Sequence, residues 1–538
     1  MSRSKVETGR ALSRRRLLQA GGAAAAAGWL GLAELLEAGP AAGSGRAEEA
    51  YRVRLKAAEG IRRRTLPKQM PNGDEQGLPG WIANFSKCLP HDARGEVDPA
   101  AMRYLLRALE SRSPEDFERI PLGGQVKLAN PQAAFAFQLQ GPDPSMASIP
   151  PAPRFGSDEQ AAELVELYWQ ALARDIPFEE YPTHPTIAEA AAELSALSGY
   201  RGPKLDGKVA PERLFRGTTA GDLTGPYLSQ FLVKDIPLTP VRCEQKIRTA
   251  VPGLDYLTAW PDWLASQNGS IAGVNRFEPA PLYVRGGRDL GEYMHRDFTY
   301  QAALQAGLIL LKAGVAPDGG NPYKHSRTQA PFTTFGAPYL LYLLALVTQV
   351  SLAACWYQKW LVHRRLRPEE LAGRVEAGRK GLARYPLAPG LLQSTALERL
   401  VAKNGTGLLP QAYPEGCPTH PAYPAGHAVI AGACVTVLKA FFVEAAIVPE
   451  PVVPSPDGRS LLPWKGPSLT VGGELDKLAS NIGMGRNFAG LHWRTDLQAG
   501  LALGEDVALQ VLAELKLTGN ELFSGWSLRR FDGEPVKI

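Results

Sequence analysis

His420-Pro421-Ala422-Tyr423-Pro424-Ala425-Gly426-His427, followed without a break by the apolar run Ala428–Val437, decides how this chain is read. Proline and glycine stop whatever precedes them, and the apolar run that follows starts a helix. The stretch is therefore a loop delivering a helix N-terminus. The first peptide N–H groups of such a helix have no intrahelical partner and face any anion that docks there. Two of the chain's eight histidines sit within this loop.

Two further clusters flank it. Upstream, Lys359-Trp360-Leu361-Val362-His363-Arg364-Arg365-Leu366-Arg367-Pro368 reads, taken alone, as a helix end whose cations complement the C-terminal dipole. On a continuous helix Lys359 and Arg367 lie about two turns apart, roughly on the same side. Downstream, Arg486-Asn487-Phe488-Ala489-Gly490-Leu491-His492-Trp493-Arg494-Thr495-Asp496 places His492 and Asp496 at i and i+4 on an expected helix. The carboxylate can then hold one imidazole nitrogen and leave the other free as ligand or nucleophile. Singly, each cluster also fits a surface ion pair or a structural histidine. Together they supply two arginines, a lysine, a Gly-His turn and an oriented histidine, which suit an oxyanion of two or three charges. Arginine forks match pairs of its oxygens, lysine adds a point charge, and a second histidine can move a proton.

The rest of the chain bounds the class. Its 538 residues, 45% hydrophobic, can bury a large core, and the net charge of +5 comes without a basic patch threaded with aromatics, which argues against nucleic-acid binding. Cys88, Cys243, Cys355, Cys417 and Cys434 show no metal-site spacing, and an odd count argues against a disulfide scaffold. A single bridge involving Cys88 and Cys243 stays open in an oxidising compartment. Residues 1–47, with Ser13-Arg14-Arg15-Arg16-Leu17-Leu18 before the weakly apolar Ala20–Leu36, resemble a twin-arginine export signal, which implies a periplasmic or secreted protein; a disordered basic tail is the other reading.

Helical patterns dominate beyond it: Pro99–Ser111, Gln160–Ala173, Thr186–Leu197, Gly291–Leu311, Ala337–Trp356, Glu369–Leu382, Ala428–Val443, Glu474–Ile482 and Ala489–Leu515. Ala337–Trp356 is long enough to span a membrane, but Thr348, Gln349 and Ser351 interrupt it and favour a buried bundle helix, so no stable membrane span is expected in the mature protein. Alternation with period two is rare. The expected fold is all-α, with little β-structure and long loops. An N-terminal wrap and helical region over 48–285 precedes a C-terminal helical bundle, 286–538, that carries the oxyanion site.

The three clusters resemble the vanadium-dependent haloperoxidase and type 2 phosphatidic acid phosphatase superfamily, whose pattern is Lys…Arg-Pro, Pro-Ser-Gly-His, and Arg…His…Asp. Here these stand as Lys359…Arg367-Pro368, Pro424-Ala425-Gly426-His427, and Arg486…His492…Asp496. The gap between Lys359 and Arg367 is similar to the bromoperoxidase-like branch and one residue longer than in the phosphatases. His420 and Trp356 also match pocket residues of that branch.

The resemblance implies two packed four-helix-type bundles and a homo-oligomer. It implies vanadate bound covalently through His492, with Lys359, Arg367, Arg486 and the Gly426 N–H on its oxygens. His427 then stands near the apical oxygen, Lys359 draws electron density from the bound peroxide, and Asp496 orients His492. Hydrogen peroxide and bromide or iodide are the implied substrates, and hypohalous acid then halogenates small organic acceptors. Ala425 departs from the pattern, because it removes the usual serine hydroxyl. Two other readings share the pocket: an exported acid phosphatase or phosphotransferase with His492 as nucleophile, and an oxyanion-binding protein without turnover.

Overall fold

The structure, a computed structural model, describes residues 45–538 apart from residues 239 and 272. The expected leader over 1–47 lies, up to residue 44, outside the described residues. The chain divides into two compact units, one ending at Arg64 and the other running Thr65–Ile538. In the first, helix α1 (Gly45–Arg62) buries none of its residues.

Helices make the second unit. Its sheet content, among the described residues, is three antiparallel pairs: Ile236–Leu238 with Val241–Cys243, Val452–Pro454 with Leu461–Pro463, and Ser527–Arg529 with Pro535–Lys537. Local chemistry sets where helices begin. Asp98 accepts from the Ala100 and Ala101 N–H groups at 2.8 Å, and Pro99 opens α2 (Pro99–Ser111). Ser157 caps α3 (Asp158–Ala173) by accepting from Gln160 N at 3.2 Å, with Asp158 and Glu159 in the first turn. The other long helices are α4 (Pro185–Ala196), α5 (Gly287–Arg296), α6 (Gln301–Lys312), α7 (Ala337–Tyr357), α8 (Pro368–Arg379), α9 (Thr395–Asn404), α10 (Gly426–Phe441), α11 (Val471–Phe488) and α12 (Arg494–Leu515).

Three expected helical runs are broken, each beside the oxyanion clusters. Gly291–Leu311 is cut into α5 and α6 because Asp297 turns extended at φ −65°, ψ 149°. Ala489–Leu515 is not one helix: Gly490 adopts φ +87°, a loop follows, and α12 starts only at Arg494. His492 therefore precedes the helix that carries Asp496. The third break lies between Lys359 and Arg367. Here α7 runs into a π-helical turn, Gln358–His363; Arg364 is left-handed at φ 40°, and Arg367 is the extended cap residue of α8. The two cations do not share a helix, contrary to the reading from spacing.

Packing centres on α10, which lies against α7, α11 and α12 as the C-terminal bundle, while α4, α8 and α9 gather on α3. One hydrophobic core runs through both groups, from Trp169 and Tyr227 to Leu344, Val435 and Leu512, so the regions before and after residue 285 are packed together. Helix α7 with its π turn, Ala337–His363, is long and apolar enough to cross a membrane, but 56% of its apolar window is buried here. All five cysteines are free, so no Cys88–Cys243 bridge forms.

Helices α10 and α12 meet backbone to backbone. A Cβ built on Gly504 would lie 2.0 Å from the Val429 carbonyl oxygen, and one on Gly432 would lie 2.4 Å from that of Leu501. The close approach brings the two helix starts together, where Ala425 N donates to the Asp496 carbonyl at 2.9 Å. Gly504→Ala is accordingly expected to lower stability by about 1–3 kcal/mol through overpacking. The midpoint of urea unfolding measures it, and an unchanged midpoint would show that the helices can separate freely.

Candidate active site

Lys359, on the π turn, is fully buried, and its ammonium faces the loop before α10. It donates to the carbonyls of Pro421 and Ala422 at 2.8 Å and also to that of Pro424. Arg367 ties all three clusters together. Its Nε donates to the His420 carbonyl at 2.9 Å, and its Nη1 donates to the Leu491 carbonyl at 2.9 Å. The same Nη1 lies 2.9 Å from His492 Nε2, while Nη2 lies 3.0 Å from His420 Nδ1. His492 Nδ1 is 2.8 Å from Asp496 Oδ2, which assigns the proton to Nδ1 and leaves Nε2 as the free, accepting nitrogen. The expected His–Asp pair forms, but from a loop residue reaching into the first turn of α12.

Arg486 completes the cationic wall from the last turn of α11. Its Nη1 donates to the Met294 carbonyl at 2.8 Å, and its Nε is buried with no hydrogen-bond partner. Gly426 opens α10, and Ala425 before it offers no side-chain cap to the helix. A Cβ on Gly426 would lie in ordinary contact with Trp356 and Leu352, at 3.9 and 4.0 Å, so these two side chains border the helix start. Trp356 packs against His420 with ring centroids 4.9 Å apart. His427 is partly exposed, with its side chain 29% accessible, and its Nε2 lies 3.2 Å from Asp297 Oδ1.

The electrostatics are those of positive charge with too little compensation. Burial, with the charges of Arg367 and Arg486, holds the Lys359 ammonium down to about 7, although Cys355 and Asp496 act the other way. His492 is held well below the ordinary histidine range by burial and then by Arg367, Lys359 and Arg486; His420 is lowered by burial, Lys359 and Arg367. Asp496, the carboxylate in reach, is pushed up to about 6 by burial despite Arg365 and Lys359. Among the described residues no carboxylate pairs directly with Lys359, Arg367 or Arg486. Buried cations of this kind call for an anion.

The next layer of residues was not legible as part of the site. Arg365 donates to Asp496 Oδ1 at 2.9 Å, to Glu163 Oε2 at 2.7 Å and to Gln160 Oε1 at 2.7 Å. Glu163 Oε1 in turn accepts from Thr495 N at 2.6 Å. Helix α3 thus fixes the carboxylate that fixes His492. A cavity of about 250 Å³ reaches the site between Arg486 and His427, bounded also by Met294, His295, Asp297, Tyr413 and Glu415. Its walls come from the end of α5, the 413–418 loop, α10 and α11.

With this geometry in place, similarity to known proteins becomes specific. The family model described as the VCPO second helical-bundle domain matches residues 340–519. The vanadium-dependent bromoperoxidase of Ascophyllum nodosum is 37% identical over 525 residues, covering 92% of this chain and 92% of the relative. That of Corallina pilulifera is 33% identical over 591 residues, covering 92% and 98%. The chain belongs to the vanadium-dependent bromoperoxidases. The solved structure described as the homohexameric second vanadate-dependent bromoperoxidase of Ascophyllum nodosum superposes with a TM-score of 0.86 at 31% identity, covering 92% of this chain and 90% of that one.

The donor set fits the oxyanion implied by this bromoperoxidase family. Three buried cations converge, one with an unused N–H, the first N–H groups of α10 are uncapped, and His492 Nε2 carries a lone pair. An anion entering here raises the Lys359 ammonium from its low value, so binding near pH 8 should take up a proton. Titration of sulfate, whose charge is fixed, into vanadate-free protein in buffers of different ionisation heats would detect it. The uptake is expected to vanish in Lys359→Gln; uptake that persists there would assign the proton elsewhere.

Proposed function

We propose that His492 Nε2 holds the vanadium, that Lys359, Arg367, Arg486 and the Gly426 N–H hold the vanadate oxygens, and that His427 moves the proton. The activity is vanadate-dependent oxidation of halide by hydrogen peroxide, as the bromoperoxidase membership implies. When bound, vanadate supplies a Lewis-acidic centre that activates hydrogen peroxide toward the halide. The protein's share is binding, orientation and proton handling. Asp496, braced by Arg365 and Glu163, keeps His492 in the Nδ1–H tautomer and so presents a lone pair. Lys359, whose N–H groups donate to the Pro421, Ala422 and Pro424 carbonyls, would offer bound vanadate its positive charge. His427, partly exposed and hydrogen-bonded to Asp297, can exchange a proton with solvent and deliver or accept it within the site.

The observation that carries this reading is the buried cation cluster around a histidine locked by Asp496. Bromide and iodide as the oxidised halides, rather than chloride, rest on His420 beside Trp356. Homo-oligomer formation is supported by the homohexameric relative, and export in the folded state by the arginine pair of the leader. Small organic molecules near the 250 Å³ opening are the halogen acceptors. Nothing in the geometry favours the acid phosphatase.

Bromination of a phenol dye is expected to require both vanadate and peroxide, with vanadium retained by the purified protein near one atom per site. Phosphate release without any halide oxidation would overturn the assignment. His427→Ala should lower turnover by about 10²–10⁴ while vanadium stays bound. Restoring the missing hydroxyl with Ala425→Ser should tighten vanadate by about 1.5–3 kcal/mol, read by calorimetric titration of vanadate-free protein. An unchanged affinity would mean that other donors already fill that position.

A further inference from the structure

The cavity that opens onto His427 and Arg486 has a second side, built around His295, which the chemistry above does not use. His295 Nε2 lies 2.6 Å from Glu415 Oε1, and its Nδ1 is 3.5 Å from Glu292 Oε2. Its ring is stacked on Tyr413 at 3.7 Å and 9°. On that tyrosine ring also lies the Arg486 guanidinium, 5.9 Å from the centroid. Tyr413 is pinned by its hydroxyl, which donates to the Gly291 carbonyl. The imidazole is thus held by its hydrogen bond to Glu415 and by the Tyr413 face, with Glu292 at ion-pair distance from a buried Nδ1 that makes no hydrogen bond.

The charges around it are unbalanced. Glu292 faces it from its own helix α5, Glu415 and Tyr413 from the loop, and Arg486 from α11. Asp297, just past the end of α5, is shared with His427. Arg296 reaches the far oxygen of Glu292 at 3.2 Å, and Lys87 donates to the Glu415 carbonyl at 2.8 Å. Two carboxylates, Asp297 and Glu415, therefore line the opening, with the buried Glu292 behind His295. Hydrogen peroxide is neutral and meets no such barrier.

We propose that His295, as an imidazolium clamped between Glu292 and Glu415, is a specificity-determining residue that cancels the carboxylates at the cavity mouth and sets the affinity for the halide. This rests on the halide-oxidising reading of the site. Burial works against the charged ring, but Glu292 and Glu415 outweigh it, so its proton is held more tightly than in an ordinary histidine. The charge is present below that raised value and lost as pH rises through it. Bromide affinity should weaken with it.

The test is His295→Gln, which keeps a polar group toward Glu415 without the charge. In vanadate-loaded enzyme from about pH 5 to pH 9, the variant is expected to raise the bromide KM about tenfold at the acid end. The ratio to wild type falls toward one as pH rises, and the peroxide KM moves little. Glu415→Gln should lower the bromide KM at acid pH and bring its rise with pH to a lower value. Chloride quadrupolar line broadening by the vanadate-free protein at acid pH should be weaker in His295→Gln, an effect that needs no turnover. A bromide KM ratio independent of pH, or a parallel shift in the peroxide KM, would make His295 a merely structural residue and overturn the proposal. If wild-type enzyme oxidised no bromide, the functional reading would fail instead, and undiminished line broadening in the variant would separately sink this inference.

Discussion

Uncompensated positive charge in a dry place is the constraint on which this site depends. Lys359 and Arg367 are taken wholly out of water, and Arg486 very nearly so. Nothing anionic in the described chain meets them directly, yet they are not left bare. Backbone carbonyls of the 420–424 loop and of Leu491 and Met294 take their hydrogen bonds. Carbonyl dipoles solvate a cation without neutralising it, so a positive potential survives for an incoming anion. A carboxylate in their place would stabilise the free protein and compete with the cofactor.

Holding like charges together needs a rigid frame, and the frame comes from two sources. Between α10 and α12, glycines let the backbones touch, which fixes the Gly426 helix start beside the first turn carrying Asp496. From the other side, α3 sends in Glu163 and Glu166. The first pairs with Arg365 at 2.7 Å, and the second takes Arg494 Nε at 2.8 Å. Both arginines flank the motif residues in sequence but point away from the pocket. Anionic charge is thereby kept behind the site, where it orients His492, and out of the space the anion fills. The separation matters because a buried ion pair holds its geometry well while adding little net stability.

Much of the site could be read from the sequence because its chemistry is concentrated in three short clusters, and the helical class could be read because apolar periodicity is a strong local signal. The breaks in the helices could not. A π turn at Gln358–His363 and a left-handed Arg364 leave no mark in the spacing, and Gly490, read as part of a helix, is instead where the chain must turn at positive φ. The supporting residues stayed hidden for a different reason. Glu163, Asp297 and Glu415 are common residue types in unremarkable surroundings, brought to the site only by tertiary packing. Asp297 lies 130 positions from the histidine it holds. No local pattern distinguishes it from a surface aspartate.

The two histidines of the motif are placed in opposite environments, and the contrast suits the different roles proposed for them. His492, proposed to offer a lone pair, is kept from a second proton by burial and by Arg367, Lys359 and Arg486, while Asp496 holds its Nδ1–H. His427, proposed to exchange protons, keeps an edge toward the cavity, where Asp297 meets its Nε2. Environment, not residue type, thus divides ligand from acid–base. The division costs no extra residues because both histidines sit at helix starts, His427 in the first turn of α10 and His492 just before α12. The close packing of those two helices brings their starts together, while His492 is buried and His427 is partly exposed.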